Sequence, residues 1–246
     1  MKFIIPIILM LVPQINSTFK EVQLKNTRVK TAYDEKEATV KTFFETAGIK
    51  FNGFHLFLRV FKREQNLEVW VKEQDKAEHF LLKTYPFCAS SGILGPKRKE
   101  GDLQIPEGVY HINRFNPNSN FYLSLGVNYP NEADKVLHKT HDPGGDIFIH
   151  GGCETIGCIP ITDEKIKELY VLAVEAKNNG QQKIPVHIFP DRLDLGSVEQ
   201  LVKEQASGAG LKDFWKNLQT IYLDFKTTEI LKEIKVNSKG EYLIER

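Results

Sequence analysis

Residues 147–163 read Ile-Phe-Ile-His-Gly-Gly-Cys-Glu-Thr-Ile-Gly-Cys-Ile-Pro-Ile-Thr-Asp. Their types and spacing suit nucleophilic chemistry. An apolar run delivers His150 to a glycine-rich turn, and the chain then presents Cys158 just before a helix start. A thiol at its reference pKa near 8.5 is only about 3% thiolate at pH 7. A neighbouring imidazole that accepts its proton raises the reactive fraction. The seven intervening residues, three of them glycine, give the chain freedom to fold back and make that contact. Glycine also lets backbone N–H groups approach a substrate carbonyl. The amides of Gly157 and Cys158, with that of Gly151, are therefore candidate oxyanion donors. Taken alone, the residues leave other readings open. Cys158 suits a buried structural thiol, and His150 a satisfied histidine at a strand end. A metal site of His150, Cys153 and Cys158 lacks a fourth ligand at the usual spacing.

The elements that must position this turn follow from hydrophobic period. A helix is expected over 33–49, with Asp34 as its cap, Val40, Phe43, Phe44 and Ala47 on one face, and Gly48 ending it. Residues 54–61 and 67–71 read as a β-hairpin, with further strands at 79–87, 109–115, 121–127 and 146–149. The stretch 90–108 is rich in glycine and proline and reads as a long loop. Residues 128–145 read as an irregular excursion. The plainest helix is 163–178, with Thr162 as N-cap and Ile166, Leu169, Tyr170, Ala173 and Val174 as its buried stripe. A strand at 184–189, a short helix near 198–205, an amphipathic helix over 211–226 and a hairpin pairing 234–236 with 242–244 complete the chain. This makes an α+β fold: a mainly antiparallel sheet with helices added before and after it.

Composition narrows the function. The chain has 246 residues with 33 Lys and Arg against 32 Asp and Glu, so it lacks the basic excess of a general nucleic-acid binder. Three cysteines are too few for a disulfide scaffold. At the N-terminus, Lys2 precedes an apolar run from Phe3 to Val12, and Ser17 supplies a small residue. This layout predicts a secretory signal peptide over residues 1–17. The run is too short to span a bilayer, which needs about 20 residues. The mature protein is then expected outside the cytoplasm, in the periplasm or cell envelope, touching membrane only through the leader before cleavage.

The stretch from Ile149 to Thr162 resembles the YkuD-type L,D-transpeptidase catalytic motif, and more closely its YafK branch. There an apolar strand, His-Gly, x-Cys, a short gap and Gly-Cys precede a helix start. The resemblance runs on through Val60–Glu64 with Leu67–Trp70, Cys88–Lys97, Gly101–Gly108 and Lys212–Trp215. It implies a mainly β catalytic domain over 28–190, with 191–246 as a helical extension packed on it. It implies a peptidoglycan stem peptide as substrate and no metal or organic cofactor. Cys158 would form a thioester acyl-enzyme, and His150 would act as base and then acid. An acceptor amine gives transpeptidation and water gives hydrolysis. The broader family has a His two residues before the nucleophile and an Arg two residues after it. Here these are Ile156 and Pro160, so carboxylate binding and the acyl acceptor differ. The alternatives are a hydrolase cleaving amide bonds at diaminopimelate, a non-catalytic wall-binding module, and a cysteine peptidase. The last needs a residue that orients His150, and only Glu154 and Asp146 lie near in sequence.

Lys97, Arg98, Tyr129 and Thr155 are the candidate substrate contacts, with His138 and His141 as further residues of the excursion. One of Asn120, Phe121 and Tyr122 is expected to face the site. Cys88 and Cys153 are expected as two buried thiols; the bridged alternative leaves Cys158 free. Phe214 and Trp215 are expected in the core.

Overall fold

The helix stop and start signals near the N-terminus give two helices. The computed structural model describes residues 17–138, 142–205 and 209–245. The expected leader lies outside these residues except for Ser17, and His141 lies outside them too. Helix α1 (Phe19–Leu24) opens on a capping box between Thr18 and Glu21. Helix α2 (Thr27–Ala47) is capped by the Asn26 side chain, which accepts the Arg28 amide at 2.9 Å. It begins well before the expected Asp34. Asn26 is a strong cap, and Val29, Ala32 and Tyr33 continue the buried stripe toward the N-terminus. Gly48, at φ 68°, ends the helix as expected.

The hairpin is β1 (Phe54–Phe61) and β2 (Asn66–Glu73), paired from Phe54↔Glu73 to Phe61↔Asn66. Then come β3 (Phe80–Pro86), β4 (Gly108–Asn116) and β5 (Ser124–Val127). The excursion is not wholly irregular. It holds α3 (Glu132–Leu137), opened by a capping box of Asn131 and Asp134. Next are β6 (Phe148–His150), the two-residue β7 (Ile159–Pro160), α4 (Asp163–Asn178) and β8 (Ile184–Phe189). Last come α5 (Ser197–Glu204), α6 (Ala209–Thr228), β9 (Ile234–Val236) and β10 (Tyr242–Ile244).

Strands β1–β8 form one sheet in the order β3-β2-β1-β8-β4-β5-β6-β7. Only β1 with β8 and β6 with β7 run parallel, so the sheet is mainly antiparallel, as expected. It curls until its edges meet: the amide of Cys88, just past β3, donates to the carbonyl of Pro160 in β7 at 3.0 Å. Helices α2 and α4 cover one face. Ile166, Leu169, Tyr170 and Val174 of α4 are fully buried there against Leu58, Val186 and Ile149. Full burial of such side chains contributes about 1.5–3 kcal/mol each, which holds α4 at its expected bounds. On the other face α5, α6 and the β9–β10 hairpin build a second core from Phe61, Phe189, Trp215, Leu218 and Tyr222. Trp215 is in that core as expected, while Phe214 is only partly buried beneath the Arg98 guanidinium, 5.3 Å from its ring centre. No helix among the described residues is long and apolar enough to cross a membrane.

Candidate active site

Strand β6 ends at His150, and β7 begins just after Cys158. The two strands pair in parallel with Ile149↔Ile159 and His150↔Pro160. The Cys158 position therefore lies beside Phe148, and the Phe148 amide donates to Cys158 Sγ at 3.4 Å. Side chains alternate along a strand. Ile149 and Ile159 point into the core, so Phe148, His150 and Cys158 share the opposite face. The nucleophile candidate thus precedes a short strand, not the helix directly.

Glycine is required at the start of this turn. A Cβ at Gly151 would overlap Asp163 Oδ1 and lie 2.7 Å from the Phe121 carbonyl. Asp163 uses the same oxygen to accept the Gly152 amide at 2.8 Å. Thr162 occupies the N-cap position of α4 at φ 74° but makes no side-chain cap bond. Its expected capping role is not made; the acidic residue after it ties the helix to the turn instead.

His150 is 1% exposed. Its Nδ1 lies 2.5 Å from the Gly151 carbonyl oxygen, which can only accept, so Nδ1 carries the proton. The other ring nitrogen, Nε2, is buried with no hydrogen-bond partner. The ring stacks on Phe121 with centroids 4.4 Å apart, so Phe121 is the residue of its trio that faces the site. The group orienting His150 is a main-chain carbonyl, not Glu154 or Asp146. The Asp146 carboxylate pairs with Arg114 at 2.9 Å.

Cys158 is half-buried. Its thiol donates to the Asp146 carbonyl at 3.6 Å. Burial pushes the thiol pKa up, with the Phe148 amide opposing. Burial likewise pulls the His150 imidazole down, with the Gly151 carbonyl opposing. The resting pair is therefore neutral thiol and neutral imidazole at pH 7. No hydrogen bond joins them among the described residues.

The expected oxyanion donors are occupied. Thr155 Oγ1 accepts the Cys158 amide at 2.9 Å and the Gly157 amide at 3.3 Å, and donates to the Cys158 carbonyl at 2.8 Å. The Gly151 amide donates to Leu123 O at 3.2 Å. Thr155 therefore folds the turn; its hydroxyl is not free for substrate. Lys97 is 5% exposed, and its ammonium is engaged by Asp102 at 2.6 Å. Arg98 lies beside Asp134 at 3.5 Å, and the Tyr129 hydroxyl is held by Lys97 O, His138 and Pro143 O. The charged and polar groups proposed from sequence as substrate contacts are thus committed within the fold. Short loops hide such ties from sequence, because Asp102 and Thr155 bond backbone that carries no residue signature.

Cys88 and Cys153 are bridged, with Cα atoms 5.3 Å apart. The expectation of two buried thiols is overturned: the curl of the sheet brings the end of β3 onto the His150–Cys158 turn, within the usual span of a disulfide. Cys158 is left as the free thiol. Ile156, beside it, is 79% exposed. A cleft of about 780 Å³ between β4, β8 and β9 includes none of the residues from His150 to Cys158.

Residues 57–188 match the YkuD family, described as the L,D-transpeptidase catalytic domain. The chain is 31% identical over 196 residues to YafK of Escherichia coli K12, a protein named only provisionally as an L,D-transpeptidase. That alignment covers 79% of this chain and 75% of YafK. Among solved structures, the helical cell shape determining protein Pgp2 of Campylobacter jejuni is similar at a TM-score of 0.45 and 20% identity, over 81% of this chain and 80% of Pgp2.

Proposed function

This chain belongs to the YkuD family of L,D-transpeptidase catalytic domains, and on that premise we propose that it is an exported cysteine acyltransferase acting on peptidoglycan stem peptides. Cys158 is the nucleophile and His150 its base. The observation that carries this reading is the state of the two side chains. The Gly151 carbonyl fixes the His150 tautomer that leaves Nε2 free to accept, and a neutral, half-buried thiol stands on the same face of the sheet. A carbonyl main-chain partner on one ring nitrogen is a standard way to poise the other as a base.

The Sγ proton passes to His150 Nε2 as sulfur attacks the stem-peptide carbonyl. The tetrahedral intermediate collapses, the amine leaves with the proton from His150, and a thioester remains on Cys158. An amine acceptor or water then releases the acyl group, with His150 taking and returning the proton again. Apo catalytic pairs are often loose and tighten on substrate. Here the Cys158 thiol must exchange its bond to the Asp146 carbonyl for one to His150 Nε2. The reaction needs no cofactor and no nucleic acid. The leader at 1–17 and the oxidised Cys88–Cys153 pair both suit the periplasm or cell envelope. Residues 28–190 form the catalytic domain and 191–246 its extension.

The test is product mass. Mature protein is incubated with isolated sacculi beside Cys158→Ala, and the digested muropeptides are weighed. New 3–3 cross-links or exchanged terminal D-residues, seen only with the wild type, identify a bond-forming enzyme. Loss of cross-links or of wall-attached peptide, leaving free diaminopimelate ends, identifies a hydrolase using the same thioester. Identical profiles from both proteins overturn the catalytic reading in favour of a wall-binding module.

A further inference from the structure

One wall of the catalytic turn is a closed loop. A Cβ at Gly157, which has φ 128°, would lie 3.0 Å from the Gln104 carbonyl oxygen, so the main chain around Gln104 runs directly against the residue before the nucleophile. Gln104 belongs to the segment 95–107, and both ends of that segment meet at one carboxylate. Glu107 Oε1 accepts the Gly95 amide at 2.7 Å and the Lys62 ammonium at 2.9 Å. Lys62 also donates to the Gly95 carbonyl at 2.7 Å. Within the loop, Asp102 accepts the Lys97 ammonium and the amides of Arg98, Lys99 and Gln104, at 2.6–3.1 Å.

Glu107 has one oxygen left. Its Oε2 accepts the indole N–H of Trp215 in α6 at 2.8 Å, and both side chains are fully buried. Helix α6 touches the loop again where Phe214 lies under Arg98. The β9–β10 hairpin reaches its end as well: a Cβ at Gly108 would overlap the Tyr242 hydroxyl. Trp215 and Tyr242 lie outside residues 57–188, the span described as the L,D-transpeptidase catalytic domain.

We propose that Glu107 and Trp215 are positioning residues for the Cys158 reaction: they lock the 95–107 loop against the catalytic turn and make the C-terminal extension a working part of the active site. This rests on Cys158 being the nucleophile. The carboxylate is the one group that can accept all three donors at once. A glutamine at 107 offers one accepting oxygen and one donating nitrogen, so at least one of Lys62, Gly95 and Trp215 loses its partner. A shift of about 1 Å in the wall of a reacting group costs up to about 100-fold in rate.

The test compares Trp215→Phe and Glu107→Gln with Leu218→Ala. Leu218 is equally buried in α6 and has no bond to Glu107. All are assayed well below their melting temperatures, with folding checked by near-ultraviolet circular dichroism. Two readouts are used: kcat and KM on muropeptides, and the rate at which iodoacetamide alkylates Cys158, followed by intact mass. The alkylation rate needs no substrate, so it reports on the loop even where the peptidoglycan reading fails. Trp215→Phe and Glu107→Gln are expected to lower kcat about tenfold with KM little changed. They are also expected to change the alkylation rate at least threefold and to speed amide hydrogen exchange in 95–107 and 151–158. Leu218→Ala is expected to lower the melting temperature while leaving the other readouts near wild type. Wild-type kcat and alkylation in folded Trp215→Phe and Glu107→Gln overturn the proposal, as does an equal loss in Leu218→Ala. Should Glu107→Gln fail to fold, the exchange and alkylation rates of Trp215→Phe decide alone.

Discussion

Between His150 and Cys158 the chain is held by neutral groups near the surface: the Gly151 carbonyl, the Thr155 hydroxyl and the Cys88–Cys153 bridge, with the Asp163 carboxylate as the exception. The neighbouring 95–107 loop is held by charge. Glu107 is fully buried against Lys62, and Asp102 gathers four donors. The contrast follows from what each segment must do. The Asp146 carboxylate and Lys97 already act on the Cys158 thiol in opposite senses, and a frame of neutral partners shapes the turn without adding further charge against a proton that must leave and return. The wall has no proton to move, so buried charges can fix its shape. The turn is therefore expected to be sensitive in rate, and the wall sensitive in stability.

Replacing His150 by Ala draws this line most sharply. Loss of a general base costs about 10²–10⁴ in rate. Muropeptide turnover should fall by that factor, while losing the buried ring stacked on Phe121 costs about 1–3 kcal/mol of stability, less than the loss expected on the wall. Because burial holds Cys158 as a thiol and no ion pair with His150 forms, iodoacetamide alkylation should be nearly unchanged in the variant. In the wild type it should climb with pH without a low-pH plateau. A plateau from pH 5 that vanishes in His150→Ala would show a resting ion pair and break the contrast.

Glu107→Ala probes the other side. Removing one member of a buried pair leaves Lys62 uncompensated, and such losses cost about 3–5 kcal/mol. Urea unfolding should show a loss of that size, larger than for any single change of a neutral group in the turn. Reduction of the bridge comes next, typically costing about 2–4 kcal/mol; its cysteines are 65 positions apart in sequence. Denatured, unreduced protein treated with iodoacetamide should gain one label, at Cys158, and three after reduction. Three labels before reduction would remove the bridge from the turn's frame.

The same contrast explains what the sequence disclosed. His150 and Cys158 are rare types set in a tight glycine-rich pattern, so motif reasoning singles them out as candidates. Helix α4 and the β1–β2 hairpin are legible because period and caps are local. Helix α3 was legible in principle from Asn131 and Asp134, but it is only six residues long and lies within a polar stretch. The Glu107 cluster was not legible. It joins Lys62, Gly95, Glu107 and Trp215 from across the chain, and Trp215 carries the same apolar signal whether or not its indole N–H has a buried acceptor. The Cys88–Cys153 pair failed for the same reason: only the curl of the sheet brings β3 to β7.

The smallest effect tests how far charge reaches along the wall. Asp134, which caps α3 and faces Arg98 of the loop, is buried, and burial raises its pKa to about 6 from an ordinary 3.8. The Asn131 amide, the Tyr110 hydroxyl and Arg98 oppose the rise without cancelling it. The native state thus binds this proton more tightly than the unfolded chain does. The resulting stabilisation is fully present below pH 3.8 and is lost as pH rises through about 6. At 1.36 kcal/mol per unit, the full swing is on the order of 3 kcal/mol, most of it between pH 4 and pH 7. Other carboxylates titrate in the same range, so the useful quantity is the difference in unfolding free energy between wild type and Asp134→Asn. That difference should fall by on the order of 2 kcal/mol between pH 4 and pH 7. A flat difference would mean that Arg98 compensates the carboxylate fully. The charged frame of the wall would then extend from Glu107 and Asp102 through Arg98 to α3, and the boundary between charged wall and neutral turn would lie at Tyr129, whose hydroxyl bonds link Lys97 to Pro143.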